Sequence, residues 1–220
     1  MPNTLEQNIV DTNSTRTGKL EVTNEVTVKS GSNIMQKDLT VTEDGKLTAN
    51  ISDLDISAEN IVNDGFLTLK GVDAGTKLTN NIKDTAGTGA KGTLNINAGL
   101  VTNTDGKTVT QNGLSITENA GFTTAWSKLS ITDTSISNLG TLTLGIEGNT
   151  EFNKKMLGSG TLDFNGTGKV TAKDVIENKV KLEENITLVA EKAIQRNITI
   201  ATGAALEIDA DNIQGTDTEV

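Results

Sequence analysis

Two stretches of the chain lie on one another without a gap. LDISAENIVNDGFLTL begins at Leu54 and LSITDTSISNLGTLTL begins at Leu129. Leu54, Ile56, Ile61, Gly65, Leu67 and Leu69 meet Leu129, Ile131, Ile136, Gly140, Leu142 and Leu144, always 75 residues further on, while the residues between them drift. Apolar positions and one glycine held at fixed spacing face an unchanging interior. The drifting positions face solvent.

The glycine belongs to a series. GKLEV starts at Gly18, GKLTA at Gly45, GFLTL at Gly65, GTLNI at Gly92, GLSI at Gly113, GTLTL at Gly140 and GTLDF at Gly160. The template is a turn glycine followed by a short strand with apolar second and fourth residues. Gly113 has its Leu one place early, and the Gly45 copy has Ala49 in the second apolar slot. The steps between the glycines are 27, 20, 27, 21, 27 and 20 residues, so long and short units alternate. A unit of that length without helical periodicity matches one turn of a β-solenoid. Further strands inside the units, EVTVK (25–29), DLTVT (38–42), DLDIS (53–57), KTVTQ (107–111) and KLSIT (128–132), complete each coil.

The expected fold is therefore all-β: a single-stranded parallel β-helix of about nine coils of 20–27 residues, stacked at about 4.8 Å into a rod roughly 45 Å long. The turn glycines are Gly18, Gly45, Gly65, Gly92, Gly113, Gly140 and Gly160, placed where φ is positive or space is tight. The inward set is Leu20, Val22, Leu47, Leu67, Leu69, Leu94, Ile96, Leu114, Ile116, Leu142, Leu144, Leu162 and Phe164. Beyond Gly160 the strands continue in KVTAKDVI (169–176), KVKLEENITLVAEKAI (179–194), NITIATG (197–203) and AALEIDADNI (204–213), with Asn178 in the glycine's turn role. Thr187 and Val189 favour strand over helix within 182–194. One elongated domain spans 18–213. Residues 1–17 are a polar leader or an N-terminal cap, and 214–220 a polar tail.

Composition narrows the chemistry. The 220 residues include 35 Thr, 23 Asn and 22 Gly, but no His, Cys or Tyr, one Trp and four Phe. So few aromatics suit a thin aliphatic core better than a broad one. The net charge of −10 argues against nucleic acid and against an anionic membrane surface. No apolar run approaches the ~18 residues of a membrane span. The opening MPNTLEQNIV lacks the basic and apolar regions of a signal peptide, so the chain reads as cytosolic or as a piece of a longer exported protein.

Without His or Cys, nucleophile–His–acid arrangements and the commonest zinc ligands are excluded, leaving Ser–Lys variants among nucleophilic schemes. DTNSTRTGKLEV (11–22) opens like a calcium loop but lacks Gly at its sixth position and Glu at its twelfth. GTGAKGT (87–93) resembles a phosphate loop, yet has no Gly-Lys-Ser/Thr ending and no following helix, so it reads as a flexible turn between coils. Candidate carboxylates for polysaccharide chemistry are Asp53 with Asp55, Asp73 with Asp84, Asp133, and Asp209 with Asp211. Residues two apart in a strand share a face, so Asp53/Asp55 and Asp209/Asp211 would pair outward, where solvation is the simpler role. Trp126, within GFTTAWSKL (121–129), reads as packed over a coil rather than holding a ligand. An ice-binding face needs Thr-x-Thr at one register. The slot after the turn glycine instead reads Lys, Lys, Phe, Thr, Leu, Thr, Thr.

NDGFLTLKG (63–71), NLGTLTLG (138–145) and GSGTLDFNGTGKVT (158–171) resemble the passenger domains of bacterial autotransporters and related β-helical adhesins. The resemblance is one of composition and rhythm over residues 18–213. It implies a right-handed parallel β-helix displayed outside the cell, and the missing His, Cys and aromatics add the expectation of a non-catalytic segment with no cofactor or metal. Its role would be a structural or adhesive stalk or passenger segment. The implied partners are a surface glycan or protein of a host or neighbouring cell, and other copies joined through open solenoid ends, without nucleic acid and without membrane insertion by this segment. The family's signal peptide and β-barrel are not in this sequence, and the shared motif carries no site residues. The rival reading is a polysaccharide-active β-helix lyase or hydrolase using surface carboxylates. An ice-binding solenoid is a remote third.

Overall fold

In a computed structural model, 59% of the described residues are strand and 3% helix, and parallel strands stack into a β-solenoid of about ten turns. It describes residues 3–13, 15–71, 76–103 and 106–208. Each turn has three sides. The first is a ladder of Asn3–Leu5, Glu25–Val28, Lys46–Asn50, Phe66–Lys70, the first half of Thr93–Asn103, Gly113–Ile116, Ser135–Asn138 and Lys155–Leu157, continued by bridges at Ile176 and Ile194. The second begins with Ile9–Val10, Ile34–Gln36 and Leu54–Ile56, and stops there. It resumes at Thr76–Lys77 and runs through the second half of Thr93–Asn103, Ala120–Ala125, the first halves of Thr141–Phe152 and Thr161–Ala172, Lys179–Leu182 and Ile198–Ile200. The third is Lys19–Val22, Asp38–Val41, Asn60–Asn63, Asn81–Lys83, Val109–Gln111 and Leu129–Ile131. Beyond it the third place in the turn passes to the second halves of Thr141–Phe152 and Thr161–Ala172, then Ile186–Ala190 and Ala205–Ile208.

Alternation puts every second side chain inside, so like stacks on like. Leu47, Leu67, Leu94 and Leu114 form one buried column. Leu142 and Leu162, and Leu144 and Phe164, form two more on the second side. Each fully buried Leu is worth about 1.5–3 kcal/mol against exposure, and a core one turn wide has little else to hold it. Among the inward positions read from sequence, Leu20 is half-buried. Its strand belongs to the first turn and has a rung on one side only.

Three expectations need correction. The stack starts before residue 18: Asn3–Leu5 pairs with Glu25–Val28 and Ile9–Val10 with Ile34–Gln36, because Leu5 and Ile9 are enough to seat a first turn. Turn lengths do not alternate. Along the first side successive rungs lie 23, 21, 20, 27, 20, 22, 20, 20 and 18 residues apart, so the long turn from Phe66 to Thr93 stands alone. The glycines also do not lie in one column. Gly45, Gly65 and Gly92 open the first side, Gly140 and Gly160 the second, and Gly18 the third. The copies at Leu54 and Leu129 are thus three turns plus one side apart.

The physical reason is that corners of the first and second sides make the same demand, while Gly18 on the third meets the Gln36 side chain. A Cβ on Gly65 would lie 2.2 Å from the Thr42 carbonyl oxygen and 2.3 Å from that of Gly45. On Gly140 it would lie 2.1 Å from the Ala120 oxygen and 2.4 Å from that of Thr117. The requirement is close approach between successive turns; of the seven glycines only Gly92 has a positive φ. Gly113 sits opposite Thr93 inside the strand, and Asn112 takes the corner slot, its N–H donating to the Gly92 carbonyl at 3.0 Å. This explains the Leu that comes one place early. Asn178 stands opposite Gly160, fully buried, and its Nδ2 reaches past that glycine to donate to the Asn138 carbonyl at 2.7 Å.

Candidate functional site

The two sequence copies share a local structure that sequence did not reveal. Each begins with a 3-10 turn, Ile51–Asp53 and Trp126–Lys128, whose following residue, Leu54 or Leu129, donates its N–H back to the first carbonyl of the turn. Each turn leads into the last strand of a sheet, Leu54–Ile56 or Leu129–Ile131. In the second copy the break is filled: the Trp126 ring packs on Phe152 with centroids 5.0 Å apart, and Phe152 meets Phe164 edge-on at 5.7 Å. Ile51 stands where the first copy would need that indole. There a groove of about 420 Å³ stays open between Leu54–Ile56 and Thr76–Lys77. Its floor is Ile51, Leu54 and Ile56, and Asp55, Lys77 and Thr79 stand along it.

The polar groups around this groove are tied down. Arg16 reaches across two turns: its Nη1 donates to Asp55 Oδ1 at 2.6 Å and to the Asp55 carbonyl at 2.9 Å, and its Nη2 to Oδ2 at 2.5 Å. This pair holds the Asp55 carboxyl below its usual range and pushes the Arg16 guanidinium up. Asn80 Nδ2 donates to the carbonyls of Ile56 at 3.0 Å and Ala58 at 2.7 Å.

Asp53 turns inward. It is buried and accepts from Asn50 Nδ2 at 2.8 Å and from the Gly31 N–H at 3.3 Å. The outward Asp53/Asp55 pair expected from sequence does not form, because Asp53 lies in the 3-10 turn, where the two-residue period of a strand does not apply. Asp133 accepts weakly from its neighbours Thr134 and Ser135. Asp84 is buried within its own loop. Asp73, Asp209 and Asp211 lie outside the described residues. The loop that opens like a calcium site uses Asp11 differently: its carboxylate takes the N–H groups of Asn13 at 2.9 Å, Gly18 at 2.6 Å and Thr17 at 2.6 Å, which lowers its pKa. Sequence reading missed Asp163. Burial raises its pKa, against the pull of Lys181 at 3.9 Å. Among the described residues no group of three or more Asp or Glu is placed to hold a metal ion, and no helix is long and apolar enough to cross a membrane.

The first side carries a continuous outward ladder. Thr27, Thr48, Thr68, Asn95, Ser115 and Ser137 follow one another on consecutive rungs. All are uncharged hydrogen-bonding side chains, spaced about 4.8 Å apart. Beside them Phe66 is 51% exposed, with Lys46 Nζ 5.8 Å from its ring centroid. No family model matches the chain, and no curated protein and no solved structure matches it either.

Proposed function

We propose that the chain is a non-catalytic structural or adhesive rod, a stalk or passenger segment of a bacterial surface protein working outside the cell. The observation that carries this reading is the outward ladder of the first side: six rungs of Thr, Asn and Ser flanked by the exposed Phe66 ring. An aromatic face beside a row of hydroxyl and amide groups meets both the C–H and O–H surfaces of a glycan, and the rung spacing is close to the length of one sugar ring along a linear chain. The commitment of Asp53, Asp55 and Asp84 to internal partners favours binding over cleavage. Ile200 and Ile208, 45% and 55% exposed on the last described turn, support pairing between copies through Ile198–Ile208; sedimentation at rising concentration tests that part.

Adhesion is tested by coating beads with the folded chain and measuring retention on glycan-coated and cell surfaces. Coated beads should be held better than bare ones, and Phe66→Ala should cut retention about tenfold, the effect of roughly 1.4 kcal/mol of lost contact. Equal retention of coated and bare beads defeats the adhesive reading. Cleavage of an acidic glycan, abolished by Asp53→Ala with Asp55→Ala, puts the polysaccharide-active enzyme in its place.

A further inference from the structure

The long turn between Phe66 and Thr93 contains a loop, DTAGTGAKG (84–92), with an unusual interior. Asp84 is 1% exposed, and its carboxylate accepts from four consecutive backbone N–H groups. Oδ1 takes Thr88 at 2.8 Å and Gly89 at 3.1 Å, and Oδ2 takes Ala90 at 3.0 Å and Lys91 at 3.3 Å. The Thr88 hydroxyl adds a fifth donor at 3.3 Å. Gly87 and Gly89 make this possible with φ of +69° and +74°, which lets successive N–H groups converge on one point. Convergent N–H groups of this kind form the concavity that binds phosphate and other oxyanions in many proteins. Here the anion is built into the chain. Burial pushes the Asp84 carboxyl up, but the N–H groups of Gly89, Thr88, Lys91 and Ala90 outweigh it and leave the pKa lowered.

We propose that loop 84–92 is a receptor for a small oxyanion whose resident occupant is the carboxylate of Asp84, and that a free carboxylate or phosphate takes its place when that side chain is removed. The phosphate-loop flavour of GTGAKGT then has a physical basis without a phosphate-binding function in the intact chain. The occupied loop is a preformed projection: Thr85, Ala86, Gly87, Thr88, Ala90 and Lys91 are exposed around the buried Asp84 and Gly89. This inference is independent of the adhesive reading.

The test is chemical rescue of Asp84→Ala in the full chain, with melting followed by circular dichroism at constant ionic strength in chloride. The variant should melt below wild type. Formate, acetate and inorganic phosphate should each raise its melting temperature saturably and leave wild type unmoved. Asp84→Asn, which fills the space and turns an NH₂ toward the donors, should be destabilised without rescue. The proposal falls if Asp84→Ala melts with wild type, if no anion restores it, or if the anions lift both proteins alike. Should Asp84→Ala fail to fold, wild type still decides. In an acid titration the amide resonances of Thr88, Gly89, Ala90 and Lys91 should move together with one midpoint below the ordinary aspartate value. Four independent responses, or none, overturn it.

Discussion

Residues 54–69 and 129–144 have the same apolar spacing, the same corner glycine, and the same 3-10 turn before them. They occupy different places in the rod. Leu54–Ile56 lies on the second side and Leu129–Ile131 on the third; Phe66–Lys70 lies on the first and Thr141–Leu144 on the second. The whole copy is rotated by one side, and its local structure survives. The repeating unit of this chain is therefore one corner with its strand, and a turn is three such units in a row. The copies differ in what fills the sheet break they share: Trp126 on Phe152 in one, an open groove over Ile51 in the other.

The severest way to break this equivalence is to bury a charge in each copy. Leu67 and Leu142 are both fully buried, and Leu67→Asp and Leu142→Asp should each cost more than about 4 kcal/mol, unfolding or splitting the rod. A large difference between them in denaturant unfolding would mean that the sides are not equivalent. Gly65→Ala and Gly140→Ala come next. Each drives a methyl into two carbonyl oxygens of the neighbouring turn and should cost about 3 kcal/mol in both copies. Gly31→Ala has open space around it and should cost only its φ strain, about 1 kcal/mol.

Trp126→Ile sharpens the contrast directly. It gives the second copy the side chain of the first, so it should lose about 2 kcal/mol and open a second groove, read by denaturation and by uptake of an apolar dye. The smallest effects lie outside. Thr68 faces Thr48 and Asn95, so Thr68→Asp should be nearly silent. Thr143 Oγ1 donates to Asp163 Oδ2 at 3.4 Å, so Thr143→Asp sets two carboxylates together and should cost about 1 kcal/mol. Asp163 has a raised pKa in the fold. Its penalty is absent below the unfolded value and appears as pH rises through the folded one. Asp163→Asn should therefore raise the melting temperature at neutral pH and leave it unchanged in strong acid.

The solenoid and its aliphatic columns were legible because alternation and corner spacing are local properties that stacking forces to repeat. The side on which each glycine falls was not legible, since the first and second sides impose the same pattern. Long-range partners were hidden for the same reason: Arg16 meets Asp55 across two turns, and no local signal joins them. Asparagine was half legible. Asn178 reads from sequence as a corner residue, but Asn63 is buried and donates through Nδ2 to the Thr93 carbonyl at 3.1 Å, one turn on. Asn138 does the same to the Thr161 carbonyl at 2.8 Å. The Asn of the Asn-x-Gly rhythm is a tie between turns as much as a corner. The Asp84 loop left a trace, an Asp followed by closely spaced glycines, but the direction of its N–H groups depends on φ and could not be read.

A unit of one corner and one strand changes what gene duplication can do to such a rod. In a repeat protein built of indivisible turns, a copied segment must contain whole turns or the chain falls out of phase. Here a copy that is one side too long still closes, because the next corner accepts any strand of the right alternation. Everything downstream is simply displayed a third of a revolution further round. The same outward residues can thus be aimed in a new direction by a change in length alone, with no alteration of the motif that carries them.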